Sequence, residues 1–168
     1  MIIVLIILLS SLSAQTFEIK EGQINYYGTH FLHDWVGVSN DLNGKVFIAN
    51  DQSDHFVELN VPLRSFNSNN SNRDSNMLIA TEALDYPKIE FKSTNMNIFQ
   101  DSVMVEGELT FHGVLRKIKS TAKFEVSNGF SAKGSFDINL TDFDIEPPSL
   151  MFIEIDNTIK IEYLIRNN

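Results

Sequence analysis

The stretch from Ser65 to Thr94, SFNSNNSNRDSNMLIATEALDYPKIEFKST, carries three signals in one place. Asn67 to Asn72 is a run of Asn and Ser, whose short polar side chains compete with regular backbone hydrogen bonding. Ser71 or Asn72 can cap a helix, and Asp74 in the first turn suits the helix dipole. Met77, Ala80, Thr81 and Leu84 then fall on one side at helical spacing, so a short helix is expected around residues 72–84. Pro87 stops it and holds Tyr86 extended. Ile89 and Phe91 next alternate with Lys88, Glu90 and Lys92, the period of a strand.

On both sides of this insertion the chain reads as β-structure. Val57, Leu59 and Val61 share a face, as do Val103, Val105, Gly107, Leu109 and Phe111. Ile118, Ser120, Ala122, Phe124 and Val126 follow at the same spacing. Asn128-Gly129 is the best hairpin signal, because both residues tolerate the positive φ of a tight turn. Phe130, Ala132, Gly134, Phe136, Ile138 and Leu140 then alternate against polar partners, and Ile159, Ile161, Tyr163 and Ile165 close the chain. About eight strands with short connections suit an antiparallel barrel or sandwich. Thirteen Phe imply a thick core or a cavity lined by rings. Gly107, Ala122, Ala132 and Gly134 among them leave room inside, or let a strand coil sharply. A barrel of about eight strands can hold one small ligand.

The length of 168 residues suits one domain. A net charge of −9 argues against nucleic acid, which is bound through Lys and Arg, and against docking on anionic lipid. With no Cys, disulfides and thiolate chemistry are excluded. Residues 1–14, MIIVLIILLSSLSA, read as a signal peptide cut after Ala14. The apolar run Ile2 to Leu9 is shorter than the about 20 residues that span a bilayer, so no stable membrane insertion is expected. The domain then covers 15–168, and the location is periplasmic or secreted.

Few residues carry chemistry. His30, His33 and Asp34 lie close together, but nothing fixes them toward one metal, and no nucleophile or phosphate-loop motif is present. An acid–base pair of His33 and Asp34 is the only catalytic arrangement that local sequence offers. Trp35, the one Trp, either packs against a ligand at a barrel mouth or plugs a barrel end. Arg73 either pairs with Asp74 beside the cap or touches a polar head group.

These residues together resemble the YceI-like, polyisoprenoid-binding family. Ser65, Arg73, Asp74, Met77, Tyr86, Pro87, Phe91 and Ser93 match its central block. Gly107, Leu109, Thr110 and Gly113 match a hairpin block, and Phe136, Asp142, Phe143, Ile145 and Pro148 a late one. The segment GTHFLHDWVGVSNDLNG departs from the family's usual N-terminal pattern. The resemblance implies an all-β, eight-stranded antiparallel, lipocalin-like barrel with the helix near one end. It implies an isoprenoid or other long-chain amphiphile in the interior, no cofactor and no catalysis, and it admits a homodimer. The apolar lining expected on this basis is Trp35, Phe47, Met77, Leu84, Phe91, Phe111, Phe136 and Phe143, with Arg73 as the head-group candidate and no metal ligand. The rival readings are a structural or interaction barrel with a filled core, and a hydrolase-type enzyme using His33 and Asp34.

Overall fold

Alternation of apolar and polar side chains sets most of the architecture. The computed structural model describes residues 14–50, 54–126 and 129–167. The signal-peptide reading up to residue 13, part of the turn at 50–54 and Asn128 of the hairpin turn lie outside the described residues. The strands are β1 (Gln15–Glu18), β2 (Glu21–His30), β3 (His33–Ser39), β4 (Asn43–Ile48), β5 (Phe56–Pro62), β6 (Lys88–Ile98), β7 (Ser102–Phe111), β8 (Val114–Glu125), β9 (Ser131–Asn139), β10 (Ser149–Leu150), β11 (Ile153–Glu154) and β12 (Thr158–Arg166). Ten of them form one antiparallel sheet in the order β1-β4-β5-β6-β7-β8-β9-β12-β2-β3, and β10 pairs only with β11.

Chain connectivity forces this sheet to roll. β1 lies at one edge and β2 near the other, yet only Ile19 and Lys20 separate them. β3 and β4 are separated by residues 40–42 alone. Two or three residues reach only about 3.3–3.6 Å each, so the edges must meet. The seam is bonded: the Ile19 N–H donates to the Gly44 carbonyl at 2.9 Å, and the Lys20 N–H to the Arg166 carbonyl at 2.8 Å. An isolated bridge joins Gly22 to Asp41. The result is the expected antiparallel barrel, with ten strands where eight were expected. The strand that the sequence pattern did not mark is HDWVGVS, whose aromatic-dense sequence pairs with β2 as β3.

The inner faces follow the expected parity. Along β7 every residue from Val103 to Phe111 alternates between buried and half-buried. A bulge at Ser93/Asn95 in β6 shifts the register so that Met96 also points inward. One end of the barrel is closed by rings: Phe130 stacks on Phe17 at 5.7 Å and meets Phe124 edge-on at 5.5 Å.

The helix α1 spans Ser71–Ala80, and its N-cap is Asn70, whose side chain accepts from the Arg73 N–H at 3.1 Å. It stops at Ala80 rather than at residue 84. Glu82 adopts a left-handed φ of 45°. This lets the Ala83 N–H donate to Leu78 O at 2.9 Å and the Glu82 N–H to Ile79 O at 3.0 Å, the paired bonds that terminate a helix. The Asn-rich loop before the helix is tightly tied rather than free. Asn67 exchanges backbone hydrogen bonds with Val38 at 2.9 and 3.0 Å. Asp74 Oδ1 accepts from both the amide and the hydroxyl of Ser68, at 3.0 and 2.6 Å. Asp74 therefore holds the loop and forms no ion pair with Arg73.

Candidate functional site

The barrel interior holds two adjacent chambers. The larger, about 350 Å³, opens under α1. The smaller, about 90 Å³, lies toward the ring-closed end. Ile24, Ile89, Leu109 and Phe136 line both, so they form the wall that the two share. The larger volume falls in the range of about 300–1,000 Å³ typical of small-molecule sites.

Strand parity and helical spacing build the larger chamber. β2 points Ile24, Tyr26 and His30 inward, and β3 adds His33 and Trp35. From above, α1 presents Arg73, Asn76, Met77 and Ala80, residues three or four apart on one helical face. Aliphatic side chains such as Leu63, Ile138, Ile145 and Ile159 complete the wall.

Glycines seat the aromatic groups. Gly28 is the register partner of Trp35, and Gly37 that of Tyr26. A Cβ at either glycine would overlap the facing ring, so both rings lie flat across their neighbours. Gly107 is covered by the Phe91 ring and Gly134 by the Tyr163 phenol. The small residues expected to leave room are therefore filled by cross-strand rings, and the free space lies above them.

Polar groups collect at the helix end. Arg73 Cζ sits 5.1 Å from the Trp35 ring centre, and its Nη2 lies 3.5 Å from His33 Nε2. His30 is 3% exposed. Its Nδ1 accepts from the Leu32 N–H at 3.4 Å, so Nε2 of the neutral ring carries the proton. His30 Nε2, the Trp35 indole nitrogen and the Tyr26 hydroxyl are all buried without a hydrogen-bond partner. Burial raises the Tyr26 pKa, and the Trp35 N–H directed at its hydroxyl opposes the shift, although the pair falls short of a well-formed hydrogen bond. In the smaller chamber the polar groups are satisfied. Ser120 Oγ donates to Ser135 O at 3.2 Å, so the Tyr163 hydroxyl donates to Ser120 Oγ at 2.9 Å.

Five of the eight expected lining residues reach the interior. Trp35, Met77, Phe111 and Phe136 line the larger chamber, and Phe91 the smaller. Phe47 lies elsewhere, because Val46 and Ile48 take the inward positions of β4; it stacks on Phe56 at 5.2 Å outside. Leu84 follows the Glu82 turn and is 83% exposed. Phe143 is buried against Phe111 at 5.5 Å and lines neither chamber. Trp35 sits at the open mouth, and the ring-closed end is plugged by Phe17, Phe124 and Phe130. His33 lines the larger chamber but Asp34 does not, because adjacent strand residues face opposite ways. Tyr26 and the inward role of His30 are additional to the expected set; their even spacing with Ile24 is the signal that marks them. Beside the mouth, two hairpin tips expose Phe31, Leu32, Met151 and Phe152. The Asp156 N–H donates to Thr29 O at 2.9 Å and holds the two hairpins together.

A rolled antiparallel sheet around an apolar interior, with a helix over one end, places the chain among lipocalin-like barrels. More narrowly, it belongs to the YceI-like family, whose domain profile matches residues 15–166. Among relatives, protein YceI of Escherichia coli O157:H7 is 28% identical over 164 residues, covering 85% of this chain and 83% of the relative. A UPF0312 protein of Pectobacterium atrosepticum is 29% identical over 152 residues, covering 81% and 78%. Among solved structures, BcnA of Burkholderia cenocepacia superposes with a TM-score of 0.78 at 12% identity, over 88% of this chain and 96% of that one. A polyisoprenoid-binding domain from Saccharophagus degradans gives 0.67 at 14% identity, over 89% and 96%.

Proposed function

We propose that this protein carries a long apolar ligand, an isoprenoid chain or a related amphiphile, inside the barrel, and that it does so without catalysis. The observation that supports the reading is the apolar chamber of about 350 Å³, with a second of about 90 Å³ beyond Phe136. Burial of a hydrocarbon chain there is favourable by about 25 cal/mol per Å² before ordering costs. The polyisoprenoid-binding domain among the structural relatives points the same way. The protein is exported: the apolar run Ile2–Leu9 ends ahead of Ala14, and the family match begins at residue 15. Its working location is the periplasm or the medium.

The test is extraction of the purified protein with organic solvent, followed by mass spectrometry. The expected result is an amphiphile in near-stoichiometric amount that dissociates on denaturation. An empty extract, together with no uptake of added long-chain lipid, sinks the proposal. Export is checked by sequencing the N-terminus of the protein recovered from the producing cells, which should begin at Gln15.

A further inference from the structure

We infer that the helix end of the larger chamber is a head-group site for a single carboxylate, so that the preferred ligand is a long-chain fatty acid anion. This rests on the lipid-carrier reading and adds the chemistry of one end of the ligand. Four residues that line this chamber carry donors: Arg73, His30 through Nε2–H, Trp35 through its indole N–H and Tyr26 through its hydroxyl. The last three are buried and complete no hydrogen bond of good geometry. The Trp35 N–H turns toward the Tyr26 hydroxyl, which leaves the phenol proton and the His30 Nε2–H free, and an unpaired buried donor is costly unless a ligand supplies the acceptor. His30, only 3% exposed, has no water-facing alternative.

The charge balance selects the head group. Among the described residues that line this chamber, Arg73 is the only Lys or Arg, and none is Asp or Glu. No carboxylate stands within ion-pair distance of Arg73 among the described residues. The nearest acid, Asp74, is held by Ser68. One fixed positive charge matches one negative charge. An ammonium head would face the Arg73 guanidinium with no lining carboxylate to offset the repulsion. A diphosphate would leave charge uncompensated in a partly dehydrated mouth. An alcohol would use the donors but leave the guanidinium unmatched. The guanidinium is also the side chain best shaped to grip a carboxylate through two parallel bonds.

The geometry orients the chain as well. The far end is closed by Phe17, Phe124 and Phe130. A head held at Arg73 therefore directs its tail down the larger chamber toward Phe136.

The test uses the delipidated full protein and four probes of one chain length: hexadecanoate, hexadecan-1-ol, hexadecylamine and hexadecyl diphosphate. Equilibrium dialysis gives affinities, and the emission of Trp35, the one Trp, reports occupancy of the head-group end. Hexadecanoate is expected to bind at least about tenfold more tightly than the other three, the scale of one hydrogen bond to a charged group. Arg73→Gln should collapse the ratio of hexadecanoate to hexadecanol affinity toward unity. Tyr26→Phe, which deletes one hydroxyl and keeps the ring, should lower the same ratio by a smaller factor. Equal binding of all four probes, a preference for the amine or diphosphate, or an unchanged ratio in both variants overturns the head-group site and leaves the carrier reading standing. No binding of any probe, with no amphiphile in a solvent extract, overturns both.

Discussion

Trp35 lies flat across Gly28, its register partner on the neighbouring strand, and no side chain larger than hydrogen fits beneath the indole. The pair fixes the ring at the cavity mouth, with Arg73 above it at 5.1 Å. Gly28→Ala is therefore expected to lift the indole out of place. Overpacking of this kind costs about 1–3 kcal/mol. Urea denaturation should show the loss, and the native emission of Trp35 should shift to the red as the ring becomes wetter. An unchanged emission spectrum would mean that the glycine does not seat the ring.

Phe136 belongs to the wall shared by both chambers and sits 6.2 Å from the Tyr163 ring. Phe136→Ala should join the two spaces into one. A filled core would lose about 3–5 kcal/mol from a Phe→Ala change. Here one side of the ring already faces free volume, so the loss should stay at or below the bottom of that range. The ligand effect should dominate: the variant is expected to favour eicosanoate over hexadecanoate more than the parent does, measured by dialysis. Phe143→Ala, buried at 1% exposure and outside both chambers, should show the full core penalty with no change in chain-length preference. Reversal of these two outcomes would move the cavity wall from Phe136 to Phe143.

Strand parity was the most legible feature of the chain, because the two-residue period needs no knowledge of partners. Val103 to Phe111 and Phe130 to Leu140 point as their spacing implies. Phe47 has the outward parity of its strand, since Val46 and Ile48 take the inward positions. The helix end was not legible, since its left-handed cap residue is Glu82 rather than the usual Gly. That shift carries Leu84 from the expected mouth to solvent. β3 was hidden because His33, Trp35 and Val36 place apolar or aromatic groups on both faces. The filling of Gly107 and Gly134 by rings depends on cross-strand register, which single-strand periodicity does not contain.

The loop that carries α1 depends on Asp74. Its Oδ1 accepts from Ser68 N–H and Oγ–H, and Ser68 is 8% exposed. Asp74→Ala leaves both donors unpaired, and a buried unsatisfied group costs about 1–3 kcal/mol. Ser68→Ala should cost less, because the amide keeps its acceptor. Hydrogen exchange at residues 68–73 should accelerate in Asp74→Ala ahead of the barrel strands, since local opening of the helix does not require the sheet to unfold. Equal exchange rates in the two variants would show that the loop is held by Asn67 and Val38 alone.

The two inward tyrosines predict loss of stability in alkali. Burial raises the pKa of Tyr163. Burial likewise raises Tyr26, with Trp35 opposing it and the charge of Asp74 adding to the rise. Below the ordinary tyrosine value of about 10, both phenols are protonated in the folded and unfolded states, and they add no pH dependence. Above it the unfolded chain gives up its protons first. The folded state then binds more protons than the unfolded one, so stability falls as pH rises and keeps falling until the folded phenols ionise. Tyr163→Phe should flatten this fall. At neutral pH its cost should be small, because Ser120 Oγ keeps its bond to Ser135 O. Urea midpoints measured from neutral pH upward decide the point. A parent and a Tyr163→Phe variant that decline in parallel would show that Tyr163 ionises as freely in the folded barrel as in the open chain.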